Sequence, residues 1–234
     1  MSEKPPSSPP DFALLNRQPK WFKPVFYGAI VASILFVVGG LFLSPLVLRG
    51  GHRGGDQTEA TSNAHQIGLA LFEFDTEYGT FPTSATRTLV EKENGTAIDL
   101  TGTSSNALFR QIFAANITQS EYMFFAKTKG SRKPDGIITP GNILEPRACG
   151  FAYISGLSSK DDPATPLALT PLIPGTTKFD PKPLDGFAVI LRIDNSVRSY
   201  KIEKNGHIYD KGIDLLSSKH PVWKGKAPDI RFPE

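Results

Sequence analysis

The residues of this chain best suited to chemistry are four histidines, one cysteine and a pair of adjacent aspartates. His207 stands three residues before Asp210, and a carboxylate that orients an imidazole is the arrangement of a general base. A hydrolase built on that pair needs a Ser, Thr or Cys brought in from elsewhere, and no G-x-S-x-G segment supplies one. His52, His65 and His220 are scattered, and His65 flanks an apolar helical stripe. Cys149 is the single cysteine, so no internal disulfide forms. Its place in the apolar run to Ile154 reads as a small buried hydrophobe with no neighbouring base to activate it. Asp161 and Asp162, in a polar loop after Ser158-Ser159-Lys160, are the candidate metal ligands for a calcium-like ion, which takes roughly six to eight oxygens. Asp180 and Asp185 flank a Pro-rich turn and read as structural. There is no H-E-x-x-H, no paired C-x-x-C and no G-x-x-x-x-G-K-[ST]. These residues predict a protein with no catalytic residues and no cofactor.

The elements that must position these groups begin with a segment of a different kind. Pro24 to Leu48 holds 25 residues without a charge, and about 20 helical residues cross a hydrocarbon core. A helix apolar on every side needs lipid or a large core, so the segment predicts a single transmembrane helix. Within it Gly28/Ala32 and Gly40/Ser44 have the small-xxx-small spacing of a helix-packing face. The run is longer than a signal-peptide core and no A-x-A-like site follows it, which predicts an uncleaved anchor. Lys4, Arg17, Lys20 and Lys23 precede the segment, against Arg49 and Arg53 close behind it. That excess predicts a cytoplasmic N-terminus in the inner membrane and a periplasmic C-terminal domain. The whole chain has 26 Lys+Arg against 23 Asp+Glu, and the part beyond the segment is near neutral. With no basic stripe, nucleic acid is not an expected partner.

The predicted organisation is a disordered basic tail (1–23), the membrane helix (24–48), a Gly-rich linker (49–60) and a folded domain (61–234). Glycines 50, 51, 54 and 55 are expected to keep the linker from continuing the anchor as a helix. Thr61, Ser62 and Asn63 are candidate N-caps for a helix whose stripe is Ala64, Ile67, Ala70, Leu71, Phe74 and Tyr78, ended by Gly79. Further helices are predicted over Thr86–Lys92 and Ser105–Asn116. Strands follow at Phe151–Ile154, Leu167–Ile173, Phe187–Ile193 and Val197–Ile202, with His207–Tyr209 after an Asn205-Gly206 turn. Helices first and strands later predict an α+β domain with a small antiparallel sheet.

The segment Asn63-Ala-His-Gln-Ile-Gly-Leu-Ala-Leu-Phe-Glu-Phe-Asp-Thr-Glu-Tyr-Gly-Thr-Phe-Pro82 resembles one found in pseudopilins. These are type II secretion and type IV pilin-like proteins, here of the planctomycete and verrucomicrobium type. The strand–turn–strand Ala188–Val197 is similar to a late hairpin of the same family, with Asn195 where the family has glycine. Together these cover about 30 residues. The resemblance implies a pilin-like α+β head that performs no catalysis and contacts other pilin-like or secretion-system subunits. The family's processing motif does not precede Val25, where Lys23-Pro24 stands. Two other readings stay open. One is an anchored binding module for carbohydrate or peptide, contacted through Tyr153, Tyr200, Tyr209 and Trp223. The other is an anchored hydrolase around His207 and Asp210.

Overall fold

The computed structural model describes residues 54–234. Helix α1 runs through 54–78, α2 over Arg87–Asn94 and α3 over Ser105–Ala114. The strands are β1 (Ala152–Ile154), β2 (Pro166–Thr170), β3 (Phe187–Arg192), β4 (Val197–Lys201), β5 (Tyr209–Asp210), β6 (Ile213–Asp214) and β7 (Ile230–Arg231). Five of them form one sheet in the order β4-β3-β2-β1-β7, every pairing antiparallel. β1 to β4 are a meander in chain order, and β7 returns to cover β1, pairing Tyr153 with Arg231 and Ile154 with Ile230. β5 and β6 make a separate two-stranded sheet, so the strand expected at His207–Tyr209 does not extend the main one.

Two expectations about the N-terminal side are corrected. Among the described residues no helix is long and apolar enough to cross a membrane. The α+β architecture described is therefore one of helices and an antiparallel sheet without a membrane helix. The longest of these, α1, exposes His65, Glu73 and Glu77 and pairs half-buried Asp56 and Glu59 with Lys127 and Lys133, while its apolar stripe turns to protein. Pro24–Leu48, with Gly28, Ala32 and Gly40, lies outside the described residues. Second, α1 does not start at Thr61: residues 54–60, assigned to the linker by composition, are helical. The proposed caps do other work. Thr61 Oγ1 donates to the Gln57 carbonyl inside the helix (2.9 Å). Asn63 Nδ2 donates to the carbonyls of Tyr122 (2.9 Å) and Phe125 (2.8 Å). At the other end Gly79, at φ +76°, closes the helix by donating to the Asp75 carbonyl.

α3 opens on Ser104, whose Oγ accepts from the Ala107 amide at 3.1 Å. α2 ends at Gly95 in the left-handed conformation. Strands β1, β2 and β3 are buried on both faces, whereas the edge strand β4 has no buried residue. Tyr153, Leu167, Val189 and Leu191 join Ile67, Leu71, Phe74 of α1 and Phe109, Ile112 of α3 in one core. Ala152, Ile154, Leu169, Ala188 and Ile190 join Ile202, Ile208, Leu215 and Trp223 of the C-terminal segment in a second. Period-two alternation along β1 and β3 therefore divides one apolar run between two cores. A register shift between Pro166 and Ala168 puts Leu167 and Ala168 in the same one.

α1 meets the β3–β4 turn at Gly68. A Cβ there would lie 2.0 Å from Oδ1 of Asn195 and 3.0 Å from Cδ1 of Leu191. Gly68→Ala is accordingly expected to lower stability by about 1–3 kcal/mol through overpacking, read as a shifted midpoint in urea unfolding. Gly150→Ala should cost more than Gly68→Ala, because its Cβ meets the Ala126 backbone oxygen at 2.2 Å and a backbone cannot swing aside as a turn side chain can.

Candidate functional site

The His207–Asp210 pair does not form. In extended chain, positions three apart point to opposite sides. The β5–β6 register sets Tyr209 opposite Asp214, and His207 Nδ1 lies 2.7 Å from Asp214 Oδ2. Asp210 instead faces the other way, 3.3 Å from the Arg192 guanidinium, which also donates to the Tyr200 hydroxyl at 2.5 Å. His220 is buried with Nε2 4.0 Å from the same Asp210 carboxylate. Among the described residues no hydroxyl or thiol is hydrogen-bonded to either imidazole, so the hydrolase reading has no assembled nucleophile here. The cluster instead ties β3 and β4 to the C-terminal segment.

Asp161 and Asp162 are used by their own loop. Asp161 Oδ2 accepts from the Ser158 amide (2.8 Å) and hydroxyl (3.1 Å), and Asp162 Oδ1 accepts from the Ala164 amide (2.9 Å). The loop is held to α1 by Ser159, whose hydroxyl donates to the buried Asp75 carboxylate at 2.6 Å. Among the described residues no group of three or more His, Cys, Asp or Glu is arranged to hold a metal ion. The two aspartates do line a cleft of about 290 Å³, with Asp229, Lys224 and Lys226 on its rim and Trp223 in its wall.

The four aromatics proposed as binding contacts are not presented together. Tyr153 is fully buried, its hydroxyl donating to the Pro82 carbonyl at 3.0 Å. Trp223 is buried with Nε1 donating to the Leu215 carbonyl at 2.7 Å. Tyr200 is half-buried against Arg192, leaving only Tyr209 exposed.

The groups with displaced titrations are likewise apart. Burial pushes the Cys149 thiol up to about 11, beside Ser105 and the Phe151 carbonyl. Burial also holds the Tyr153 hydroxyl well above its ordinary value. The Glu121 carboxyl is raised above 4.5 by burial, partly offset by the Leu144 amide that donates to it. Each is a structural group inside the helical core rather than a member of one convergent site.

A second concavity, of about 440 Å³, lies between residues 127–129 and the segment 173–183. Lys127, Lys129 and Lys182 rim it, Ile173 and Pro183 provide apolar wall, and Asp180 lies among them. Lys127 is paired with Asp56 at 2.5 Å, while Lys129 and Lys182 are exposed without an ion-pair partner among the described residues. Sequence reading missed this rim because its lysines come from stretches more than fifty residues apart, with no shared motif.

No protein-family model matches the chain. No curated protein and no solved structure matches it either.

Two outcomes follow from the buried ionisable groups. Cys149 should resist iodoacetamide or maleimide labelling in the native chain and react fully after denaturation, read by intact mass. For Glu121 the folded state keeps its proton at pH values where the unfolded chain has released it. Stability should therefore fall as pH rises from about 4.5 through the raised value, and Glu121→Gln should flatten that part of the stability–pH curve in urea titrations.

Proposed function

We propose that this chain is a non-enzymatic, pseudopilin-like protein that acts at the cell envelope, through contacts of its α+β domain with other pilin-like or secretion-system subunits. The observation that carries the reading is the meeting of the two segments behind the resemblance. Gly68, inside the 63–82 segment, forms the notch that receives Asn195, the turn residue of the 188–197 hairpin. A sequence likeness spread over two distant stretches thus corresponds to one packed unit, a helix laid on an antiparallel meander. A further support is that α1 passes through Gly54 and Gly55 as helix, so the glycines that composition assigned to a flexible joint do not separate 54–60 from the head. The envelope location rests on the uncharged sequence 24–48 and its flanking charges alone.

A protein that works by contact should be caught in contact. A photo-crosslinking residue placed at Leu69, which is 62% exposed on α1, or at Leu89, 49% exposed on α2, is expected to give discrete crosslinked species in the native cells. Mass spectrometry should find envelope proteins in them. Crosslinking to nothing at these and neighbouring exposed positions, under conditions where the chain is present and folded, would remove the reading.

A further inference from the structure

The cleft of about 290 Å³ lies between the loop that follows β1 and the turn that precedes β7, where the Ser155 amide donates to the Asp229 carbonyl at 2.9 Å. Its two walls carry opposite charge. Asp161 and Asp162 stand on one wall. Each gives one carboxylate oxygen to its own loop and keeps the other free of hydrogen bonds among the described residues. Lys224 and Lys226 stand on the other wall, on either side of Gly225 at φ +83°. Both lysines are exposed, and neither is ion-paired with an aspartate of the cleft. The third aspartate there, Asp229, is taken by Arg231 at 2.6 Å. Exposed ion pairs are worth only about 0–1 kcal/mol, so unpaired charge on a rim does not by itself make a site.

The acidic wall supplies a second observation. Thr165 is 2% exposed, yet its hydroxyl has no hydrogen-bond partner among the described residues. It is not sealed from solvent as the Thr170 hydroxyl is, so it opens into the cleft. A hydroxyl held that deep has room for a partner only from within the cleft. Its backbone is fixed on both sides, the Thr165 amide donating to the Asp162 carbonyl (2.9 Å) and the Thr165 carbonyl accepting from the Ile193 amide (3.0 Å). The basic wall is fixed as well. Trp223 Nε1 is held by the Leu215 carbonyl, and the Trp223 carbonyl accepts from the Lys226 amide at 2.9 Å. Leu157 and Val222 add apolar surface beside Trp223. The cleft is therefore preformed, with a few polar groups of different kinds set around an apolar wall, which is the make-up of a small-molecule site.

We propose that this cleft binds a free α-amino acid with an apolar side chain. Such a ligand carries both of the charges that the two walls leave unpaired. Its ammonium group has three donors, which Asp161, Asp162 and the Thr165 hydroxyl accept. Its carboxylate meets Lys224 and Lys226, and its side chain lies against Trp223, Leu157 and Val222. A dicarboxylate would bring like charge to the aspartates, a diamine would bring it to the lysines, and an uncharged sugar would leave both sets unpaired. The volume is just below the roughly 300–1,000 Å³ of pockets for drug-sized ligands, so it suits one residue and not a length of chain. This site goes beyond the proposed function and does not rest on it, since Leu69 and Leu89 lie outside the cleft.

Isothermal titration calorimetry of the full chain with L-leucine tests the proposal, and saturable binding is expected. L-leucinamide lacks the carboxylate and N-acetyl-L-leucine lacks the ammonium group. Each should bind about tenfold more weakly, the size of one lost hydrogen bond between charged groups. Lys224→Ala with Lys226→Ala should weaken L-leucine about tenfold and leave L-leucinamide unchanged. Asp162→Asn, with Asp161 kept to hold its loop, should weaken L-leucine and leave N-acetyl-L-leucine unchanged. A urea midpoint equal to that of the parent chain shows that each variant is folded. No saturable binding of L-leucine to the parent chain at millimolar concentration overturns the inference. Equal affinity for the three ligands overturns it as well, and so does an L-leucine affinity indifferent to the charge substitutions. None of these results bears on action by contact, which stands or falls with the crosslinks at Leu69 and Leu89.

Discussion

The central strands of the sheet have no wet face, and most of the fold is an answer to that. Every residue of β2 and all but the first of β3 is buried. An antiparallel sheet commonly leaves one face to solvent, so complete burial requires two covering layers. The helices supply one through Ile67, Leu71, Phe74, Phe109 and Ile112. The segment after β4 supplies the other with far less regular structure, through Ile202, Ile208, Leu215 and Trp223. Removing either layer would expose an unbroken apolar ribbon.

The stretch between α3 and β1 shows how the chain manages backbone that is buried without being regular. Apart from a 3-10 turn at Tyr122–Phe124, residues 116–151 contain no helix or strand, yet Phe124, Ala126, Ile143 and Leu144 are core. Buried amides and carbonyls left unpaired cost about 1–3 kcal/mol each, so side chains must stand in for a ladder. Asn63 from α1 takes two carbonyls of this stretch. From α3, Asn106 Nδ2 donates to the Leu144 carbonyl and Arg110 Nε to that of Ile143. Glu121 accepts from the Leu144 amide, so its carboxylate belongs to the same scheme. The Gln111 amide similarly donates to Thr83, binding the α1–α2 connection to α3.

Some of this was legible in the residues and some was not, for physical reasons. The stripe from Ala64 to Tyr78 is buried on the sheet as its spacing implied, apart from half-covered Tyr78, and the hairpin at Asp194–Ser196 joins β3 to β4. The start of α1 was misread because glycine costs a helix only about 1 kcal/mol relative to alanine, which tertiary contacts can outweigh. Those contacts are the burial of Ala60 and the pairs Lys127–Asp56 and Lys133–Glu59, made across more than seventy residues. β6 and β7 are two residues each, too short for any periodic signal. The candidate site failed similarly: His207 and Asp210 are neighbours in sequence, but strand alternation and the β5–β6 register assign them different partners. The lysine rim was illegible since nothing local connects residues 127–129 with 182.

α1 is fastened at successive heights rather than at one point. Asn63 holds it near one end, Gly68 locks onto the β3–β4 turn about one and a half turns on, and Asp75 grips the 158–161 loop near the other end. Tension applied to the chain ahead of residue 54 would run along the helix axis and load these fastenings together, in shear, instead of peeling them apart singly. Sliding the helix by even one residue would drive a side chain into the space that only Gly68 leaves open. The same close fit sets the axial register of α1 on the sheet, so that any shift of the helix along its own axis has to break all three fastenings.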